Sequence, residues 1–305
     1  MNPLLMMKSL KTPLRYPGGK SRACTKMDQY FPDLRDYVEF REPFIGGGSV
    51  AIHISKKYPH LKITVNDLYE PLANFWVQLQ QFGGELTDKI KDYKSTHPDP
   101  ETAKELFNNC KEVVGDKSID CIERAAAFYI VNKCSFSGLT ESSSFSKQAS
   151  NSNFSMRGIE KLPEYSEIIS HWHINQYSYE YLMRENVHDG IFMYLDPPYE
   201  IKIPIYGKRG AMHKYFDHDK FAKDCNESKI NMMISYNSSQ QIKERFKNWN
   251  VAEYDLTYSM RTTGEYMREQ KERKELLLMN YGAKIKLNFD GCYNYDKLKK
   301  EGLTA

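Results

Sequence analysis

An apolar run ends in an acid, two prolines and an aromatic ring in the stretch Ile191-Phe192-Met193-Tyr194-Leu195-Asp196-Pro197-Pro198-Tyr199. Consecutive apolar residues bounded by turn signals are typical of a strand buried on both faces of a parallel sheet. Such a strand would present a carboxylate, a carbonyl outside any ladder and a flat ring at one rim of the sheet.

These groups suit the exocyclic amine of a nucleobase, whose nitrogen lone pair is delocalised into the ring. The Asp196 carboxylate can accept one N–H and the Pro197 carbonyl the other, while stacking on Tyr199 contributes roughly 1–3 kcal/mol. A base reaches this pocket only by leaving its stack, so the pattern predicts base flipping or a single-stranded substrate. Taken alone, the tetrapeptide fits an ordinary Asp-Pro-Pro turn equally well.

A glycine-rich turn provides a second constellation. The short strand Tyr37-Val38-Glu39-Phe40 precedes Glu42-Pro43-Phe44-Ile45-Gly46-Gly47-Gly48-Ser49-Val50-Ala51, which fits G-x-G-x-x-A before a helix. A second strand, Lys62-Ile63-Thr64-Val65, leads to Asp67, which lies where an acid binds ribose hydroxyls. The spacing indicates an adenosine-containing cofactor.

Two such cofactors compete, a nicotinamide dinucleotide and S-adenosylmethionine. Upstream, Arg15-Tyr16-Pro17-Gly18-Gly19-Lys20-Ser21 places a lysine on a tight turn, where it could pair with a methionine carboxylate. A P-loop would need glycine at the position of Leu14, so a nucleoside triphosphatase is not favoured.

In combination these motifs resemble the Dam-type DNA adenine methyltransferases of the D12 class, also called the alpha group. The resemblance covers most of residues 12–282 and includes Asn66-Asp67 and Asn132-Lys133-Cys134-Ser135-Phe136-Ser137-Gly138-Leu139. It implies a site-specific enzyme that transfers a methyl group from S-adenosylmethionine to the N6 amino group of a flipped adenine in duplex DNA. Alternatives are N4-cytosine methylation and a catalytically silent nucleic-acid-binding protein of the same fold.

The resemblance also implies roles for individual residues. The catalytic set would be Asp196, Pro197, Pro198 and Tyr199. The cofactor would contact Tyr16, Lys20, Glu42, Pro43, Phe44, Gly46, Gly48, Asp67 and Asp196, with Lys20 at its methionyl end and Asp67 at its ribose.

Contacts to DNA are expected from three segments. Relatives usually carry a recognition hairpin with a prominent arginine after the Asn132 motif, whereas this chain has a Ser- and Asn-rich run over residues 140–153 that predicts a mobile loop. Donors and acceptors in that run could read base edges, and cations near residue 270 could meet phosphates. The DNA-contacting set would be Lys133, Ser137, Lys147, Gln148, Asn151, Asn153, Arg261, Arg268 and Lys271.

Strands near residues 37–40, 62–65, 191–195, 230–235, 251–256 and 276–280 predict a Rossmann-like, doubly wound α/β sheet with ligands at its carboxyl ends. A discontinuous catalytic domain would comprise residues 1–72 and 186–282. Residues 73–185 would form an inserted, mainly helical target-recognition subdomain, and residues 283–305 a C-terminal extension.

Composition agrees with these expectations. The 305 residues are 40% apolar with a net charge of +3, and none of the six cysteines forms a C-x-x-C pair. No stretch reaches the roughly 20 apolar residues of a membrane span, and no metal site is suggested. We expect a cytoplasmic protein, a monomer or weak dimer, with S-adenosylmethionine as cofactor and double-stranded DNA as partner.

Overall fold

A computed structural model describes residues 10–138, 143–200, 215–255 and 274–282. Within these ranges seven strands form one sheet in the order β3-β2-β1-β4-β5-β7-β6. The strands are β1 (Glu39–Glu42), β2 (Lys62–Asn66), β3 (His173–Asn175), β4 (Ile191–Leu195), β5 (Asn231–Asn237), β6 (Asn250–Asp255) and β7 (Lys274–Met279). The predicted Rossmann-like α/β fold is confirmed.

The pairing of the strands brings the two main motifs to the same edge. β1 pairs in parallel with β2 on one side and with β4 on the other, with Phe40 opposite Phe192. All five residues of β4 are buried, as its apolar run predicts. Because β1 and β4 are adjacent and parallel, the glycine turn and the Asp196 motif both lie at their carboxyl ends, where the strand order reverses.

The far side of the sheet is mixed rather than parallel. β7 runs antiparallel between β5 and β6, with Glu275 opposite Asn237 of β5. This places the amino end of β7 next to the carboxyl end of β5. A residue at the start of β7 therefore reaches the edge at which the motifs lie.

Helices of the described residues cover both faces and form the segment between β2 and β3. They are α1 (Cys24–Met27), α2 (Ser49–Lys57), α3 (Glu70–Gln81), α4 (Gly83–Thr96), α5 (Pro100–Val114), α6 (Cys121–Cys134), α7 (Lys147–Asn153), α8 (Met156–Ile159), α9 (Leu162–Ile169), α10 (Tyr179–Arg184), α11 (His218–Glu227) and α12 (Gln240–Arg245). No helix of these ranges is both long and apolar enough to span a bilayer.

Local signals explain where the helices between β2 and β3 begin. The Asp99 side chain accepts hydrogen bonds from the first turn of α5, and Asp120 does the same for α6. α6 is buried along nearly its whole length and packs on α3. At this contact the Phe75 ring of α3 stacks on the Tyr129 ring of α6, with centroids 6.1 Å apart. This segment shares one core with the sheet.

Two features differ from the sequence expectation. Residues 147–153 form helix α7 rather than part of a mobile loop, because Ser146 caps it by accepting from the Ala149 N–H, and Ala149 and Ser150 are buried. β3 lies inside the range assigned to the inserted subdomain, yet it is hydrogen-bonded to β2 of the sheet. Residues 139–142 lie outside the described ranges.

Candidate active site

The glycine turn after β1 is fixed by two aromatic side chains. Gly46 and Gly48 adopt φ values of +47° and +68°, in the left-handed region that favours glycine. A Cβ on Gly46 would stand 2.8 Å from Tyr16 Cε1, and one on Gly48 would stand 2.7 Å from Trp76 Cζ2. The glycines are therefore required by close packing within the protein itself.

Asp67, directly after β2, holds the same turn from the other side. Its Oδ2 accepts from the Gly46 N–H at 3.1 Å, and its Oδ1 accepts from the Tyr69 N–H at 3.0 Å. Burial raises the pKa of Asp67 to about 6, although these backbone hydrogen bonds oppose the shift. The carboxylate is thus structurally engaged and titrates close to neutral pH.

Asn66, the last residue of β2, ties a third segment to the pocket. Its Nδ2 donates to the Pro43 carbonyl at 3.0 Å and to the Tyr177 carbonyl at 2.9 Å, while its Oδ1 accepts from the Tyr177 N–H at 2.8 Å. The segment after β3 therefore forms one wall of the same pocket. Sequence reasoning did not assign Tyr177 or its neighbours to the site.

Glu42 ends β1 as a buried carboxyl group. Its Oε2 accepts from the Ala51 N–H of α2 at 2.8 Å. Burial, followed by the negative charge of Asp196, raises the pKa of Glu42 well above its ordinary value. Burial therefore favours the protonated form of Glu42 more than water would.

Lys20 lies against the tetrapeptide that follows β4. Its Nζ is 2.8 Å from both carboxylate oxygens of Asp196, 2.8 Å from the Gly18 carbonyl and 2.9 Å from the Tyr199 hydroxyl. Burial alone would lower the pKa of Lys20, but the charges of Asp196 and Glu275 outweigh it and the pKa is raised. All three ammonium hydrogens therefore have protein acceptors.

Asp196 is paired with Lys20 and is still partly exposed to the pocket. Its side chain retains 21% exposure, and it lines the pocket. Burial raises the pKa of Asp196, and the ion pair with Lys20 works against that rise. The carboxylate is consequently held in place while one side of it remains open to a ligand.

Tyr199 is fixed through both its ring and its hydroxyl. The ring stacks on Tyr236 of β5 with centroids 5.8 Å apart and an interplanar angle of 26°. The hydroxyl donates to Glu275 Oε2 at 2.7 Å. Sequence reasoning gave Tyr199 a stacking role and missed both Tyr236 and Glu275.

One pocket of about 350 Å³ joins the glycine turn, Asp67, Lys20 and Asp196, whereas Tyr199 lies outside its lining. Several of its lining residues are aromatic, and Phe44 stacks on Tyr179 with centroids 5.6 Å apart. All nine residues predicted to contact a cofactor line it: Tyr16, Lys20, Glu42, Pro43, Phe44, Gly46, Gly48, Asp67 and Asp196. Pro198 also lines the pocket and Pro197 is buried, and the catalytic and cofactor roles of these residues remain predictions.

The Asn132 motif is tied to the residue that precedes Tyr16. Asn132 Oδ1 accepts from the Arg15 N–H at 2.9 Å, and its Nδ2 donates to the Arg15 carbonyl and, at 2.9 Å, to the Gly138 carbonyl. Phe136 is 53% exposed between these anchors. The motif is thereby held next to the cofactor turn.

The ammonium group of Lys133, in the same motif, is buried and has a lowered pKa. Its Nζ lies 5.1 Å from the centroid of the Tyr129 ring. Burial, and secondarily the positive charge of Arg15, lower the pKa of Lys133 to about 8. Ser137 belongs to the short 3₁₀ helix Phe136–Gly138.

The other predicted DNA contacts are partly described. On α7, Lys147, Gln148 and Asn151 are exposed, Lys147 pairs with Glu101 at 3.0 Å, and Asn153 donates to the Ala149 carbonyl. Arg261, Arg268 and Lys271 lie outside the described residues. No cluster of three metal-binding side chains occurs in the described part of the chain.

Residues 16–260 match the D12 class N6 adenine-specific DNA methyltransferase family, and the chain belongs to that family. It is therefore a site-specific adenine DNA methyltransferase, and the family-level expectation from the motifs is confirmed.

Three relatives are similar over nearly their whole length. The type II methyltransferase M1.LlaDCHI of Lactococcus lactis is 25% identical over 88% of this chain and 94% of its own. M.MjaIII of Methanocaldococcus jannaschii is 22% identical over 88% of this chain and 98% of its own. M.CviBI of Paramecium bursaria Chlorella virus NC1A is 21% identical over 89% of this chain and all of its own. M.MjaIII and M.CviBI are also named type II methyltransferases.

Proposed function

We propose that the pocket binds S-adenosylmethionine and that Asp196 presents the N6 amine of a flipped adenine to it. The observation that carries the proposal is that the glycine turn, Asp67 and the Asp196 carboxylate line one pocket at the carboxyl ends of β1 and β4. A methyltransferase needs donor and acceptor at a single point, and this edge is where open α/β sheets bind ligands.

The residues present fit this donor. Aromatic rings such as Phe44 and Tyr179 offer faces to an adenine ring, and Asp67 offers a carboxylate to ribose hydroxyls. S-adenosylmethionine carries a positively charged sulfonium, which suits the acidic lining and supplies the methyl group. Lys20 could reach its methionyl carboxylate only by releasing one of the acceptors that it now holds.

The protein's own part in the transfer is positioning and charge stabilisation. The Asp196 carboxylate accepts one N6–H and the Pro197 carbonyl the other, which directs the nitrogen lone pair toward the donor. As the N–C bond forms, N6 gains positive charge, and the nearby carboxylate stabilises that charge most in the transition state. Once the N–C bond has formed and the S–C bond of the donor has broken, with its electron pair left on sulfur, the positively charged N6 gives up one proton to solvent water.

Duplex DNA would meet the segment that begins at Asn132. Lys133 and Arg15 supply positive charge there, and the exposed Phe136 ring could enter the space left by an unstacked base. We assign residues 73–185 outside β3 to target recognition, with α7 offering polar side chains to base edges. A type II restriction-modification context and a monomeric or weakly dimeric state complete the proposal.

The test is calorimetric titration of the purified protein with S-adenosylmethionine, followed by tritium transfer to DNA. The proposal expects binding, and transfer to N6 of adenine at one short sequence. Binding of a nicotinamide dinucleotide without binding of S-adenosylmethionine would contradict it. Light scattering measures the oligomeric state separately.

A further inference from the structure

Glu275 is a buried carboxylate outside every motif that the sequence suggested. It lies near the start of β7 and is 2% exposed, with the fully buried Leu276 as its neighbour. Removing a carboxylate from water is costly unless it is paired or hydrogen-bonded. Its partners therefore identify what it does.

Two of its contacts are with groups beside Asp196. The Tyr199 hydroxyl lies 2.7 Å from Glu275 Oε2, and Lys20 Nζ lies 3.9 Å from the same oxygen. An ammonium group has only donors, so Lys20 must donate to the Tyr199 oxygen. The Tyr199 hydroxyl in turn donates to Glu275 Oε2, so hydrogen bonds run from Lys20 through Tyr199 to Glu275.

We propose that Glu275 is a positioning residue for methyl transfer, which acts through Tyr199 and Lys20 to share the lysine's charge with Asp196. Lys20 thereby favours the ionised form of Asp196, while its positive charge only partly offsets the negative charge of that carboxylate. This inference rests on the proposed role of Asp196 as the acceptor of the N6–H.

The charges around Asp196 support this arrangement. The titratable groups that face it are Lys20, Tyr199, Glu275 and Glu42. Two carboxylates, Asp196 at 2.8 Å and Glu275 at 3.9 Å, lie around the one ammonium group of Lys20, so acidic groups outnumber cations at this point of the site. A negative cluster stabilises the positive charge that develops on N6, whereas a neutral one does so less.

The test is the variant Glu275→Gln, which keeps the shape of the side chain and an oxygen that accepts from Tyr199. We expect the single-turnover methylation rate to fall about tenfold or more, with KM for S-adenosylmethionine and DNA within about threefold. The Glu275 charge raises the pKa of Asp196, so its removal should move the acid limb of the rate to lower pH. Glu253→Gln, on the neighbouring β6 and in a surface pair with Lys243, is the matched control and should leave both quantities unchanged.

A wild-type rate in Glu275→Gln would overturn the inference, and so would a slower rate with an unmoved acid limb, since that is what a structural role produces. Should Glu275→Gln fail to fold, Tyr199→Phe breaks the same chain without touching β7. The double variant should be no slower than the slower single variant, and additive losses would contradict the chain. A wild-type methylation rate in Asp196→Ala would overturn the proposed function itself. Loss of methylation in Asp196→Ala together with a wild-type rate in Glu275→Gln would overturn only this inference.

Discussion

Trp76 donates its indole N–H to the Gly46 carbonyl over 3.1 Å, and its ring fills the space that a side chain at Gly48 would need. A helix after β2 thus sets the shape of the turn after β1. The backbone path that faces the proposed cofactor is built by packing between these elements before any ligand arrives.

Gly48→Ala should therefore weaken binding of S-adenosylmethionine at least about tenfold and destabilise the fold by ~1–3 kcal/mol, because a left-handed φ and the Trp76 ring both oppose the added methyl group. Calorimetry and urea unfolding measure the two effects. Gly84→Ala is the control, since nothing lies within 4 Å of its Cβ position and α4 should gain about 0.5–1 kcal/mol. Normal binding by Gly48→Ala would show that the turn can relax.

Lys20→Met should slow methylation strongly and destabilise the protein by ~3–5 kcal/mol, because the buried Glu275 and the partly exposed Asp196 both lose their cation. The loss of Lys20 should also raise the pKa of Asp196, so that the acid limb of the rate moves to higher pH. A pH profile of single turnovers measures this shift. An acid limb that stays in place would mean that Lys20 does not control Asp196.

Tyr199→Phe should lower the methylation rate about tenfold, because it leaves the Lys20 donor and the buried Glu275 without their shared hydroxyl. A role limited to stacking predicts nearly full activity. Tyr194→Phe removes another buried hydroxyl contact, to Ser235 at 2.6 Å, and should cost stability but not rate. Equal rates in Tyr199→Phe and wild type would exclude the hydroxyl from the mechanism.

The affinity for S-adenosylmethionine should fall as pH drops through about 6, the pKa of Asp67, since a protonated carboxyl loses its negative charge toward the ribose hydroxyls. Between about pH 7 and about pH 5 the loss should be roughly tenfold. Calorimetry in matched buffers gives the profile, and Asp67→Asn should flatten it. A profile that keeps its slope in Asp67→Asn would assign the titration to another group.

Lys133→Gln should weaken binding to every DNA sequence alike and reduce the salt slope by about 1, because a cation lost from a phosphate contact releases one counterion fewer. The wild-type affinity should decline above about pH 8, where Lys133 loses its proton. Lys147→Gln, which breaks a surface ion pair with Glu101, tests instead whether helix α7 reads the DNA sequence. Lys147→Gln should reduce the difference in binding affinity between cognate and near-cognate DNA sites.

The motifs and most strands could be predicted because local patterns specify them. The apolar run of β4 and the glycines after β1 each follow from a few adjacent residues. β3 was missing from the predicted strands of the sheet because its 3 residues are too few to show a period. Helix α7 was misjudged because its Ser and Asn content predicts a loop, whereas the Ser146 cap and burial of Ala149 stabilise it.

The contact between Tyr199 and Glu275 could not be predicted at all, since 76 residues separate them and the antiparallel insertion of β7 alone brings them together. In the sequence, Glu275 is one of several acids that alternate with cations. Nothing in that pattern distinguishes a buried glutamate from an exposed one.

The central claim is that Asp196 directs methyl transfer to N6 of adenine. Base-resolved modification mapping of DNA from a methylation-free host that expresses either wild type or Asp196→Ala tests it most directly. We expect N6-methyladenine at one short sequence with wild type and none with a folded Asp196→Ala protein. N6-methyladenine at wild-type levels in the Asp196→Ala strain, or methylation confined to cytosine, would contradict it.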